Sequence, residues 1–140
     1  MAPLVGLMNK NSFVYVETYS NGGNVSRMAL RTDSILYAEE PEPLKDSLFY
    51  MLRHKKGSVR LSKNGVLLLK TLPGFHSVYL HESGKRVCIN LSAVDTIVEN
   101  NRNISICFCD GSILKISYGA HYTGVVEKMT GFPRGRLRNE

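Results

Sequence analysis

The feature of this sequence that most restricts its fold is a repeated alternation of apolar and polar residues with a period of two. The alternation begins in "FVYVETY" and returns in "VSRMALR", "SILYAEE" and "NISICFCDGSILKIS", segments rich in β-branched and aromatic residues. Because successive side chains of an extended strand point to opposite faces of a sheet, this period predicts half-buried β-strands. We therefore predict a mainly β fold of many short antiparallel strands, elongated and joined by short polar turns.

Two hairpins stand out within this pattern. In "SLFYMLRHKKGSVRLS" the turn is predicted at Lys55, Lys56 and Gly57. In "NISICFCDGSILKIS" two alternating runs meet at Asp110 and Gly111, a dipeptide that tolerates positive φ angles. We predict a type I′ turn at this second position.

Two other segments interrupt the alternation and predict short helices. "KNGVLLLKTLPGF" is too densely apolar for a strand, and its helix of about two turns should begin at Ser62 or Asn64. "AHYTGVVEKMTGFP" places apolar residues at helical spacing and should end near Gly131 and Pro133. We expect a lead-in over residues 1–12, one domain over 13–130 and a basic tail over 131–140.

The distribution of charge indicates two different surfaces. Residues 51–90 carry eight basic side chains against the single acidic Glu82, whereas residues 11–50 carry three basic and six acidic side chains. The net charge of the whole chain is +6. Such asymmetry is typical of proteins with one face that attracts phosphate, although solubility alone also explains a basic domain.

Neither the cysteines nor the termini indicate a metal, a disulfide or a membrane. The three cysteines are an odd number, and Cys107 and Cys109 have no second pair of ligands at metal-binding spacing, so we interpret them as small strand residues. The N-terminal "MAPLVGLM" is far shorter than a membrane span. These features favour a cytoplasmic protein without a cofactor.

The sequence also lacks the common signatures of catalysis. It contains no glycine-rich phosphate loop, no zinc signature and no nucleophile elbow. We therefore expect a binding protein and not an enzyme.

In their order along the chain, these segments resemble the LytTR domain, a β-rich DNA-binding module of bacterial transcription regulators. "SILYAEE" is similar to the family's "I-L-Y-I-E" element, and "VLLLKTLPGF" to its short helix. "FHSVYLHESGKRVCINLSAVDTI" is similar to "F-x-R-x-H-R-S-x-x-V-N-L-x-x-I", and "ISICFCDGSILKIS" to the closing "I-x-L-x-D-G-x-x-L-x-I-S". The resemblance covers roughly Phe13 to Met129.

The resemblance implies a DNA-binding mechanism that uses loops instead of a recognition helix. Loops of the β fold would enter successive major grooves of double-stranded DNA, and two copies would bind a direct or inverted repeat as a homodimer. The chain has no room for a receiver domain before Phe13. It would therefore act as a stand-alone transcriptional regulator, with any control supplied by a protein partner.

The predicted DNA-binding residues come from the family's three contact regions and from the basic clusters. By the resemblance, contacts come from the loop after "SILYAEE", from "HESGKR" and from the segment after "KIS". The basic clusters are the hairpin turn and the C-terminal "RGRLR", although a solvated hairpin tip explains the first equally well. The full set is Lys45, Arg53, Lys55, Lys56, His81, Glu82, Ser83, Lys85, Arg86, Tyr118, His121, Arg134 and Arg136.

One alternative hypothesis retains the same fold but assigns the protein a function that does not involve DNA binding. The stretch from Glu39 to Asp46 is predicted to be an acidic loop, and Glu82 stands where the family carries Arg or Asn. The negative charges at both places would repel phosphate. These changes fit a protein-interaction or structural β module, such as a phage or accessory component. Asn90 is interpreted as a residue that bonds the backbone in a turn and not as a contact.

Overall fold

The predicted strands form two antiparallel sheets in the computed structural model, which describes residues 13–20, 23–42, 47–79, 86–99, 103–117 and 129–131. Within these residues the larger sheet has seven strands in the order β2-β1-β5-β4-β3-β7-β6, and the smaller has three in the order β10-β9-β8. The strands are β1 (Phe13–Tyr19), β2 (Val25–Arg31), β3 (Ile35–Glu39), β4 (Tyr50–His54), β5 (Gly57–Leu61), β6 (Phe75–Tyr79), β7 (Arg86–Asn90), β8 (Val94–Glu99), β9 (Asn103–Phe108) and β10 (Ile113–Ser117). The prediction of a mainly β, antiparallel fold is confirmed.

The first predicted helix is also confirmed. Helix α1 (Lys63–Lys70) follows β5, and Ser62 caps it, since the Gly65 N–H donates to Ser62 Oγ at 3.2 Å. This bond satisfies one of the amides that a helix leaves unpaired in its first turn. Val66 and Leu69 are fully buried and fix the helix against the large sheet.

The second predicted helix falls mostly outside the described residues. Met129 and Thr130 are helical, and Gly131 follows them with a φ of 76°. A glycine in this left-handed conformation commonly ends a helix, in agreement with the predicted end. Along the described segments, no helix is long and apolar enough to cross a membrane.

The large sheet has an apolar core on each face. Ile35 and Leu36 are consecutive in β3 and fully buried, and they belong to different cores because neighbouring side chains of a strand point in opposite directions. The first core lies between the large sheet and α1; the second lies between the large and small sheets and includes Ile104, Ile106 and Ile116. Both faces of β3 are therefore buried.

The β9–β10 turn differs from the prediction. The Gly111 N–H donates to the Phe108 carbonyl at 2.9 Å, and Gly111 has a φ of 94°, but no described residue other than glycine has a positive φ. A type I′ turn needs positive φ at both central residues, so Asp110 cannot form one. The type I′ prediction was wrong, since the loop is one residue longer than a two-residue hairpin and uses glycine as its final left-handed residue.

The two ends of the large sheet carry different connections. Antiparallel pairing places Ile35 of β3 opposite His54, next to the β4–β5 turn at Lys55 and Lys56. It places Glu39 opposite Val87, next to the start of β7. We call the end with the β4–β5 turn the turn end, and the opposite end, where β3 ends and β7 begins, the loop end.

Candidate nucleic-acid interface

The loop end is organised around Glu40, the residue that follows β3. Its side chain has no exposed surface. Lys70 Nζ of α1 lies 2.8 Å from Glu40 Oε1, and Arg86 Nη2 of β7 lies 3.3 Å from the same oxygen. The Glu40 N–H also donates to the Arg86 carbonyl at 3.0 Å. One residue thus joins β3, β7 and α1.

The ionic environment sets the charge of this buried carboxyl. Burial on its own raises the pKa of Glu40, because it disfavours the charged form. Hydrogen bonding from Lys70 and Ser77 and the charges of Lys70 and Arg86 together outweigh burial, and the pKa of Glu40 lies below its ordinary value. Glu40 is therefore ionised at neutral pH and shared between two cations.

The neighbouring Glu39 also has a structural partner. Glu39 Oε1 accepts a hydrogen bond from the backbone N–H of Met51 at 3.0 Å, which continues the link between β3 and β4 past the last strand pair. The predicted acidic loop therefore needs correction at its start. Glu39 and Glu40 do not form an exposed acidic surface, because each carboxylate is used within the fold.

Arg60 is a cation of the loop end that the sequence reasoning did not select. It is exposed on β5 opposite Met51, and it lines a cavity of about 400 Å³ together with Glu39 and Phe49. Its place follows from the register of the β4–β5 hairpin. The hairpin turn was predicted correctly, so counting along β5 from that turn would have placed Arg60 near the loop end.

The turn end holds a separate basic cluster. Lys55 and Lys56 are exposed in the β4–β5 turn, and Arg53 Nη2 lies 3.7 Å from Asp110 Oδ2 of the β9–β10 turn. Burial, together with the charges of Arg53 and Lys56, lowers the pKa of His54. His54 Nδ1 accepts a hydrogen bond from the Lys56 N–H at 3.3 Å, which requires an unprotonated nitrogen.

The structure does not bring the described candidate residues together. Arg86 lies at the loop end, whereas Arg53, Lys55 and Lys56 lie at the turn end. The five residues of β3 separate Arg86 from Lys55 and Lys56 by about 13 Å at the usual rise of a strand, whereas Arg53 lies opposite Tyr37, the middle residue of β3. The remaining candidates fall outside the described residues: Lys45, His81, Glu82, Ser83, Lys85, Tyr118, His121, Arg134 and Arg136.

The strands that flank those candidates are described. The connection that contains Lys45 leaves the loop end after Glu42 and returns to it at Ser47, before β4. The connection that contains "HESGKR" joins Tyr79 to Arg86, which pair at the loop end. Two of the three predicted contact segments are therefore attached at the same end of the large sheet.

Asn90 has the backbone role predicted for it. Its buried Nδ2 donates to the carbonyls of Thr32 and Ile35, each at 2.8 Å. Its Oδ1 accepts from Ser92 N at 3.3 Å and from Ser92 Oγ at 2.8 Å. Asn90 thus ties together, at the turn end, the two short 3-10 turns Thr32–Ser34 and Leu91–Ala93.

The cysteines have three different surroundings. Cys107 is half-buried in β9, whereas Cys109 is exposed beyond the strand, so the prediction that both are strand residues was wrong for Cys109. Burial raises the pKa of the Cys88 thiol to about 12, with a further contribution from the charge of Glu40. Among the residues that the structure describes, no group of three or more His, Cys, Asp or Glu side chains could hold a metal.

Comparison with known proteins gives one structural match of interest. No family model matches the chain, and no curated protein matches it by sequence. A solved structure, the LytTr DNA-binding domain of a protein named as a DNA response regulator from Bacillus cereus, superposes with a TM-score of 0.55. The match covers 84% of this chain and 97% of that domain at 13% identity. The chain has a LytTR-type fold. The resemblance found in the sequence is thus confirmed at the level of the fold.

Proposed function

We propose that this LytTR-fold protein binds double-stranded DNA through its loop end. The observation that carries the proposal is the attachment of both the Lys45 connection and the "HESGKR" connection at one end of the large sheet. These are two of the three segments through which LytTR domains are expected to meet DNA. The structural neighbour is itself named as a DNA-binding domain, which supports the same function.

The proposed mechanism is electrostatic positioning followed by base contacts from loops. Lys45, Lys85 and Arg60 supply cations for phosphates at or next to the loop end, while His81, Glu82 and Ser83 are the candidates for base edges. Two copies would bind a repeated site. The protein would be a cytoplasmic, non-catalytic transcriptional regulator that acts alone or under the control of a protein partner.

The test is fluorescence-anisotropy titration of mixed-sequence duplexes at low and moderate salt. Wild type should bind more weakly as salt rises, because each neutralised phosphate releases counterions. Lys85→Ala should weaken binding about tenfold and reduce the salt slope by about one. Lys55→Ala is the matched control, since it removes the same charge from a hairpin turn at the turn end and should leave affinity within about twofold.

The outcomes separate the alternatives. Equal losses for Lys85→Ala and Lys55→Ala would contradict the assignment of the interface to the loop end. Absence of binding by wild type at low salt would overturn the DNA proposal and favour the protein-interaction module.

A further inference from the structure

The structure assigns Glu40 as a positioning residue for the proposed interface, a role that rests on the proposed function. Its carboxylate binds the guanidinium of Arg86, the first residue of β7, and so fixes the strand end to which the "HESGKR" connection is attached. Glu40 itself need not touch DNA. It acts through Arg86 and Lys70.

The geometry around Glu40 supports a positioning role. The backbone of Glu40 binds the Arg86 carbonyl, and the side chain of Glu40 binds the Arg86 guanidinium, so Arg86 is held at both its main chain and its side chain. Lys70 supplies the third link, from α1. At the loop end the Glu40 carboxylate therefore joins side chains of β7 and α1, in addition to the backbone ladder that pairs β3 with β7.

A carboxylate at position 40 is informative because burying a charged side chain costs more free energy than burying an apolar one of similar volume. Transfer of a charged group out of water is costly, and apolar residues of similar volume often stabilise a fold equally well. In some proteins a buried ionic group specifies one arrangement over others, and we infer that role for Glu40. At the loop end, that arrangement is the relative position of the two strands that lead into the predicted contact loops.

The sign of the charge provides a sharp test. A negative charge close to DNA opposes binding, so simple electrostatics predicts that removal of the Glu40 charge strengthens binding. A positioning role predicts the reverse, because the contact loop loses its fixed base. The two explanations therefore differ in the direction of the effect and not only in its size.

The experiment compares Glu40→Gln with Glu42→Gln, a matched control that removes the same charge two residues away. Duplex binding is measured by anisotropy under the conditions used for wild type. Glu40→Gln should weaken binding at least tenfold, whereas Glu42→Gln should leave it unchanged or slightly stronger. Glu40→Asp, which keeps the net charge but shortens the side chain, should weaken binding at least threefold and serves as the second variant if Glu40→Gln does not fold.

A readout that needs no DNA separates this inference from the proposed function. Amide hydrogen exchange at residue 40, whose N–H donates to the Arg86 carbonyl in wild type, should accelerate in Glu40→Gln and remain at the wild-type rate in Glu42→Gln. If wild type binds no duplex, the proposed function fails, and unchanged exchange in Glu40→Gln would overturn the positioning role as well. Tighter DNA binding by both glutamine variants would overturn the positioning role while leaving DNA binding intact.

Discussion

The two ends of the large sheet are each held by one buried polar side chain, but the two side chains differ in charge. Glu40 at the loop end is an ionised carboxylate shared by Lys70 and Arg86. Asn90 at the turn end is a neutral amide that donates to two carbonyls and accepts from Ser92. Both residues join segments that are far apart in the sequence, by different physical means.

The difference predicts which end responds to solution conditions. A neutral amide network depends little on pH or salt, because none of its groups titrates near neutrality. An ion cluster weakens when its carboxylate is protonated, and its partly exposed cations are screened by salt. The Asn90 network is therefore insensitive to pH and salt, whereas the Glu40 cluster, at the end where we propose that DNA binds, is sensitive to both.

The largest expected effect is on the turn end. Asn90→Ala removes every side-chain bond in the network and leaves the Ile35 carbonyl without this buried donor, so we expect a loss of about 2 to 4 kcal/mol of unfolding free energy. Urea denaturation of wild type and Asn90→Ala measures this loss of unfolding free energy. Asn64→Ala, a change at an exposed position of α1, is the control and should stay within about 0.5 kcal/mol of wild type. A similar loss in both variants would show that the Asn90 network contributes nothing specific.

The next largest expected effect is at the loop end, where the stability contributed by Glu40 should depend on pH. Glu40→Gln should cost about 1 to 2 kcal/mol at pH 7, less than for a fully buried pair, because the side chains of Lys70 and Arg86 retain 30% and 38% of their exposure. The folded pKa of Glu40 lies below the ordinary 4.5, so the unfolded chain takes up the proton first as pH falls. The stabilisation is thus fully present above about pH 4.5 and is lost as pH drops through the folded pKa.

Urea denaturation at several pH values between 7 and 3 checks this prediction. The difference between wild type and Glu40→Gln should shrink as the solution becomes more acidic. The difference between wild type and Asn90→Ala should stay nearly constant over the same range. A gap for Glu40→Gln that is as large at pH 3 as at pH 7 would show that the carboxylate charge does not stabilise the loop end.

The smallest expected effect concerns the surface of the turn end. Arg53→Met breaks the ion pair with Asp110, which is long at 3.7 Å and whose arginine side chain retains 37% of its exposure, and it should change the unfolding free energy by less than about 0.5 kcal/mol. Thermal unfolding measures this change in unfolding free energy, and Arg60→Met is the matched control. A loss above about 1 kcal/mol from Arg53→Met alone would mean that charge also holds the turn end, and the contrast between the two ends would disappear.

Local features of the fold could be predicted from the sequence because their physical causes are local. The period of two predicted the strands, and a polar residue before an apolar run predicted that α1 begins at Ser62 or Asn64, of which Ser62 is the cap. The backbone role of Asn90 also followed from its place at the start of a turn. In each case the sequence signal lies within a few positions, although the carbonyls of Thr32 and Ile35 that Asn90 binds are 58 and 55 positions away.

The candidate site depends on contacts that local patterns do not contain. Glu40 stands in "EEPEP", which reads as an exposed acidic loop, yet its partner Arg86 is 46 positions away. The separation of Lys55 and Lys56 from Arg86 likewise follows from the placement of β3 between β4 and β7. Strand order in a sheet is set by long-range pairing, so a sequence pattern of period two could not reveal it.

The attachment of the β1–β2 hairpin has a consequence for the way this domain comes apart. The hairpin forms the edge of the large sheet, and the ladder between β1 and β5 contains a single residue pair, Thr18 with Leu61. Val14, Val16 and Leu30 provide most of its remaining hold on the first core. Units with few backbone links to their neighbours open first in the native state. We therefore expect the β1–β2 hairpin to be a unit of lower local stability than the strands that Glu40 and Asn90 join.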